Sequence, residues 1–162
     1  MGAALSTALF SAVAGSASAA SSSGSTTANV AVQSGIALTG LTPSFTLTGA
    51  PGTVATDAGA VGFNVETNDV AGYAVTVQAA ATTLAPTAVG NTDSIPISLL
   101  GVRQSGTGVY LPISSTVPVL VHTQTSRSAN GGDNLSNDYQ ITIPVVNPDT
   151  YTATLNYVAT AL

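Results

Sequence analysis

The chain has no cysteine and no tryptophan, and its two cationic side chains are both arginines, Arg103 and Arg127, so lysine is absent as well. Each absence removes a class of chemistry. Without cysteine, disulfides and thiolate metal sites are unavailable, and stability has to come from packing. Without lysine there is no Schiff-base nucleophile, no P-loop, no polybasic membrane patch and no Lys–Asn isopeptide cross-link. Charged residues make up only 6% of the sequence, against about 25% in an ordinary soluble domain. A net charge of −5 leaves no basic footprint for phosphates, which argues against nucleic acid as a partner.

Catalytic groups are equally scarce. Any Ser-His-Asp arrangement would have to use the single histidine, His122, and no G-x-S-x-G elbow is present. The alternation of Val117, Val119 and Val121 places His122 on the outer face of its strand, as a surface residue. The carboxylates Asp57, Glu66, Asp69, Asp93, Asp133, Asp138 and Asp149 each fall beside turn-forming residues, where Asx side chains bond the backbone. Nothing in their spacing sets up a glycosidase pair. The expectation is a protein that is not an enzyme and carries no cofactor.

What is present is Thr, Ser, Ala, Gly and Val, with hydrophobic residues at 44% and aromatics at 5%. β-Branched side chains suit a pleated, half-buried surface better than a helix. Residues 5–20 are an apolar, small-residue run ending in Ala17-Ser18-Ala19-Ala20, which matches a signal-peptide core and A-x-A cleavage site, although no basic residue precedes it. The expected organisation is a signal peptide at 1–20, a flexible linker at 21–27 (SSSGSTT) and one domain at 28–162. After cleavage no membrane span remains.

Within that domain, short alternating runs are separated by Gly, Pro, Asn and Asp. This is the pattern of a single antiparallel β-sandwich, Ig-like or jelly-roll in type, with about eight or nine strands. Val30/Val32, Ile36/Leu38 and Phe45/Leu47 give three short strands. Val61–Phe63–Val65 and Tyr73–Val75–Val77 flank Asn68-Asp69 as a hairpin, and Ile95, Ile97 and Leu99 share one strand, with Pro96 marking an edge. Tyr139–Ile143 and Tyr151–Ala159 form a closing hairpin around Asn147-Pro148-Asp149. The inward phase selects Phe45, Phe63, Val65, Val75, Val77, Ile141, Ile143, Leu155 and Tyr157 as core. Residues 130–138 read as a long hairpin loop, in which Asp133, Asn134, Asn137 and Asp138 are calcium candidates by ligand type, though their spacing fits no EF-hand.

The run Tyr139-Gln140-Ile141-Thr142-Ile143-Pro144 followed by Pro148-Asp149-Thr150-Tyr151-Thr152-Ala153-Thr154-Leu155 resembles the closing strands of WxL-type surface proteins of Gram-positive bacteria, which read like "LTIP…PGTYTATL". Leu41-Thr42-Pro43-Ser44-Phe45-Thr46-Leu47 and Gly72-Tyr73-Ala74-Val75-Thr76-Val77 follow the order that family suggests. The resemblance implies a secreted surface β-sandwich. The tryptophans of the W-x-L motifs, linked in that family to cell-wall attachment, are missing here.

With few charges to hold like molecules apart, and no lysine gatekeepers on Thr-rich strands, self-association is expected. The chain reads as an exported structural or adhesive subunit of an extracellular assembly at the cell surface, such as a pilus-like filament, biofilm matrix or coat. Its first partner is then itself. Residues 28–40 are the candidate donated strand, with Val30, Val32, Ile36 and Leu38 entering a neighbour's sheet; the competing reading pairs them inside their own sandwich. A cell-wall or glycan-binding module is the alternative, with Tyr110 as its one loop aromatic, and a secreted hydrolase is the outsider. Intact-mass measurement of exported material should give a chain starting near Ala20 or Ser21; retention of residues 5–17 would overturn the signal peptide.

Overall fold

A computed structural model describes residue 15 and residues 18–162. The expected signal peptide therefore lies almost entirely outside the described residues. The chain divides into two units, Met1–Val32 and Gln33–Leu162. The described residues of the first unit are exposed and form no strand, so the strand expected at Val30 and Val32 is not formed.

The second unit is all-β, an open sandwich of antiparallel sheets. One layer is a five-stranded sheet in the order β1 (Ile36–Thr39), β2 (Val54–Thr67), β9 (Asp133–Thr142), β6 (Leu100–Gln104) and β7 (Leu111–Pro112). The facing layer has β11 (Leu155–Ala161), β3 (Tyr73–Ala79) and β8 (Val119–Gln124). A third, smaller sheet of β10 (Tyr151–Thr152), β4 (Thr83–Pro86) and β5 (Ile95–Pro96) continues the β11–β3 ladder past a kink, where the Ala80 N–H bonds the Thr154 carbonyl at 2.9 Å. The strand count is eleven rather than eight or nine, the excess being the two-residue strands β5, β7 and β10.

Side-chain phase follows the alternation; pairing does not. Phe63, Val65, Val75, Val77 and Ile141 are buried as expected, while Phe45, Ile143, Leu155 and Tyr157 are half-buried against the same core. Neither expected hairpin exists, however. β2 pairs with β1 and β9, and β3 with β11 and β8, so Asn68-Asp69 joins strands of opposite layers. Likewise β9 lies in one layer while β10 and β11 lie in the other. In both places the inward side chains meet across the core instead of side by side. The Phe63 and Tyr157 rings are 5.3 Å apart, and the Tyr73 hydroxyl donates to Asp133 at 2.8 Å.

Three further expectations change. Phe45 and Leu47 lie on an extended segment that belongs to no strand. Ile97–Leu99 is a single 3-10 turn between β5 and β6, although Pro96 does sit on an edge strand. Residues 133–138 are part of β9, a ten-residue strand paired on both sides, and not of a loop. Tertiary partners override the low strand propensity of Asp and Asn there.

The arch between β2 and β3 depends on one backbone position. Gly72 has φ 98°, and a Cβ there would collide with the carbonyl of Gln124. Gly72→Ala should lower unfolding free energy by more than ~2 kcal/mol. Gly40→Ala, at φ 64° with open space around it, should cost only ~1–2 kcal/mol. Denaturant titration of the two variants checks this, and equal losses would show that the steric contact at Gly72 contributes nothing.

Candidate functional site

The four calcium candidates separate across the two faces of β9, as the period of two requires. Asp133 and Asn137 point between the layers. Asp133 accepts from the Tyr73 hydroxyl, from Gln124 and from the Ala129 N–H, while Asn137 donates to the Arg103 carbonyl and accepts from the Tyr157 hydroxyl at 3.1 Å. Asn134 and Asp138 point outward; Asn134 accepts from Asn64 at 3.0 Å. No group of three or more His, Asp or Glu side chains placed to hold a metal occurs among the described residues. The loop expected to carry these four side chains is a strand, and their oxygens accept hydrogen bonds from neighbouring strands and turns.

Asp138 is the most heavily engaged of them. It lies opposite a bulge in β2, where residues 58–60 interrupt the register between Asp57 and Val61. Its carboxylate accepts from the Gly59 N–H at 2.8 Å, the Ser105 hydroxyl at 2.6 Å, the Gly106 N–H at 3.3 Å and the Arg103 guanidinium at 3.0 Å. Burial opposes its ionisation, yet these donors outweigh burial and hold its carboxyl at about 2. Arg103 in turn stacks 4.4 Å over the ring of Tyr110, which packs on the bare backbone of Gly101. Tyr110 is thus a half-buried part of this cluster rather than a free loop aromatic.

His122 faces inward, contrary to its expected surface position. A register shift between Val75 and Thr76 leaves Val121 as an extra residue in β8, and a bulge of one residue reverses the phase that follows it. Its ring lies 5.4 Å from that of Tyr73, and Nδ1 is 3.1 Å from Gln104 of the opposite layer. Burial lowers its pKa against the opposing pull of Asp133. Of the remaining acids, Asp69 and Asp149 bond the backbone of their own turns, while Asp93 accepts from the distant Asn147 N–H. Asp149 is held at about 2 by the Asn91 amide first, then by the Ala88 and Thr150 N–H groups and the Thr87 hydroxyl.

An apolar groove of about 800 Å³ opens along one side of the sandwich. Val61, Leu84, Ile95, Leu100 and Ile141 are on its lining, with Phe45 and Leu47 on one wall and Val146, Leu155 and Tyr157 on the other. Two main-chain edges flank it. β10 and β11 are edge strands with no outer partner among the described residues. Across from them, residues 43–49 make no main-chain hydrogen bond among the described residues; the segment is fixed only at its ends, by the Thr42 N–H to Gly62 at 2.9 Å and the Gly52 N–H to Ile143 at 2.8 Å. Asp149 is the only charged side chain on the lining, and its carboxylate is already bonded. Sequence reasoning missed this groove, since periodicity marks which residues face inward and not where two sheet edges fail to meet.

No protein-family model matches this chain, and no curated protein matches it closely enough to count as a relative. Among the described residues no helix is long and apolar enough to cross a membrane.

Four groups set the acid response, His122 in one range of pH and Asp133, Asp138 and Asp149 in a lower one. His122 has a folded pKa below its ordinary 6.5, so its contribution to stability is whole above pH 6.5 and is lost as pH falls below that value. Asp138 has a folded pKa of about 2 against 3.8, so its contribution is whole above about pH 4 and is lost between there and pH 2. Melting temperature against pH should therefore fall in two steps. His122→Gln should remove the first, and Asp138→Asn should shrink the second while costing on the order of 1–3 kcal/mol at neutral pH. A single step unaffected by either change would overturn the assignment.

Proposed function

We propose that this chain is an exported, non-catalytic subunit of an extracellular assembly at the cell surface, a filament, matrix or coat built by self-association. The observation that carries the reading is the groove, an apolar slot between two main-chain edges that nothing in the second unit seals. An extended segment laid there would gain hydrogen bonds on both sides and bury alternate side chains, which is strand addition. The scarcity of charge supports the same reading, because an edge without charged gatekeepers does little to repel another strand.

Other roles find less support. The carboxylates of Asp133 and Asp138 and the hydroxyls of Tyr73 and Tyr157 are engaged in hydrogen bonds between strands, and the imidazole of His122, bonded at Nδ1, is not on the groove lining. The wall- or glycan-binding alternative needs an exposed aromatic platform, and Tyr110 is engaged with Arg103 and Gly101. The resemblance to secreted WxL-type surface proteins agrees with the proposed location.

Sedimentation of the mature protein over a concentration series should show a rise from monomer to extended multimers, visible by electron microscopy. With so few charges to screen, the midpoint should move little between low and high salt. A protein that stays monomeric at the highest attainable concentration overturns the self-association reading.

A further inference from the structure

We propose that the groove is an acceptor slot for residues 28–32 of a second copy of this chain, which enter it as an added strand; the proposal rests on the self-association reading and identifies its two halves. Val30 and Val32 are 87% and 80% exposed, and in extended backbone they share one face while Asn29 and Ala31 share the other. Such a strand has the small β-branched side chains that a slot floored by Leu100 and Ile141 accepts. Its main chain runs between the unpaired donors and acceptors of residues 43–49 and the outer edge of β10 and β11.

Charge selects the same occupant. No side chain before Asp57 is charged, so residues 28–32 can leave water without desolvating an ion. The one carboxylate on the groove lining, Asp149, is capped by the Ala88 N–H at 3.0 Å and the Asn91 amide at 2.8 Å, so an incoming strand need not supply it with a partner.

The donor strand starts from a fixed point. The Gly35 N–H donates to Asn68 at 2.8 Å, the Asn68 amide donates to the Gln33 carbonyl at 2.8 Å, and the Thr67 hydroxyl donates to the Gly35 carbonyl at 2.8 Å. These bonds hold residues 33–35 while β1 pairs with β2. Ile36 and Leu38, expected from sequence to be donated, are therefore engaged in β1 at home, Ile36 opposite Thr67 and Leu38 opposite Val65. Only the part up to Val32 is free to leave. Donor and acceptor are different surfaces, so the contact is heterologous, and repeated it gives an open head-to-tail chain.

The test uses the full mature chain. Val30→Asp combined with Val32→Asp alters two exposed positions, so the melting temperature of the monomer should be unchanged while association weakens at least tenfold. A synthetic peptide of residues 21–35 should bind the wild-type and variant proteins, raise their melting temperatures by mass action and cap growing multimers. Because the chain lacks cysteine, oxidation of a Val30→Cys/Thr46→Cys double variant gives an unambiguous linkage. A ladder of disulfide-linked multimers supports the proposal; a cross-linked monomer overturns it in favour of a segment folding onto its own groove. Wild-type association that persists in the Asp variant overturns the donor assignment while leaving self-association intact. A wild type that never associates overturns both, and a peptide that neither binds nor caps shows that the groove takes some other occupant.

Discussion

A buried carboxylate holds together the outer face of the five-stranded sheet. Asp138 sits on β9, the strand paired on both sides by β2 and β6, opposite the one place where β2 loses register. The bulge turns main-chain groups away from the ladder, and an unpaired buried N–H costs about as much as a lost hydrogen bond. Asp138 takes up the Gly59 N–H from the bulge, the Gly106 N–H and Ser105 hydroxyl from the turn after β6, and one of the chain's two arginines. A single side chain thus replaces several missing ladder bonds. Removal of the carboxylate would leave donors from three segments unsatisfied, whereas Arg103, with 30% of its side chain exposed, can return to water.

The layers are joined by a comparable economy of polar groups. The Tyr139 and Tyr157 hydroxyls are 2.6 Å apart, and Tyr157 also donates to Asn137. Burial pushes the Tyr139 phenol up to about 12, against the opposing effect of the hydrogen bond it shares with Tyr157, so both rings stay neutral at any pH the fold meets in ordinary use. Tyr73 makes the equivalent contact at the other end of β9, through Asp133. With no disulfide and little charge, the alignment of the two sheets rests on these phenols and on the apolar core between them.

The sequence made the faces legible and left the partners hidden. Alternation along Val61–Val65, Tyr73–Val77 and Tyr139–Ile141 correctly separates inward from outward, because the period of a strand is a property of the strand alone. Whether the strand after a turn lies beside its predecessor or across from it is not written in that period. Asn68-Asp69 and Asn147-Pro148-Asp149 have the chemistry of tight turns, yet each connects opposite layers. Asp133, Asn134, Asn137 and Asp138 have the composition of a loop, and the partners that place them in a strand, Tyr73, Asn64, Tyr157 and Arg103, are distant in sequence. His122 failed for a smaller reason, one extra residue in β8 that reversed the phase after it.

The magnitudes at the groove bear on what kind of assembly it can build. Burying two valines contributes about 1.5–3 kcal/mol each by area, and each added main-chain hydrogen bond about 0.5–1.5 kcal/mol net. Against this stands an association cost of roughly 4–15 kcal/mol in lost translational and rotational freedom, before the ordering of the strand itself. A junction made only from residues 28–32 therefore comes out close to balance, far from the permanence of a covalent or deeply buried interface. The proposed contact would be governed by local concentration, with dilute chains single and crowded chains joined. The scarcity of charge would serve the proposed assembly twice, because residues 28–32 carry no ion to desolvate on entering an apolar slot and little long-range repulsion opposes each successive copy.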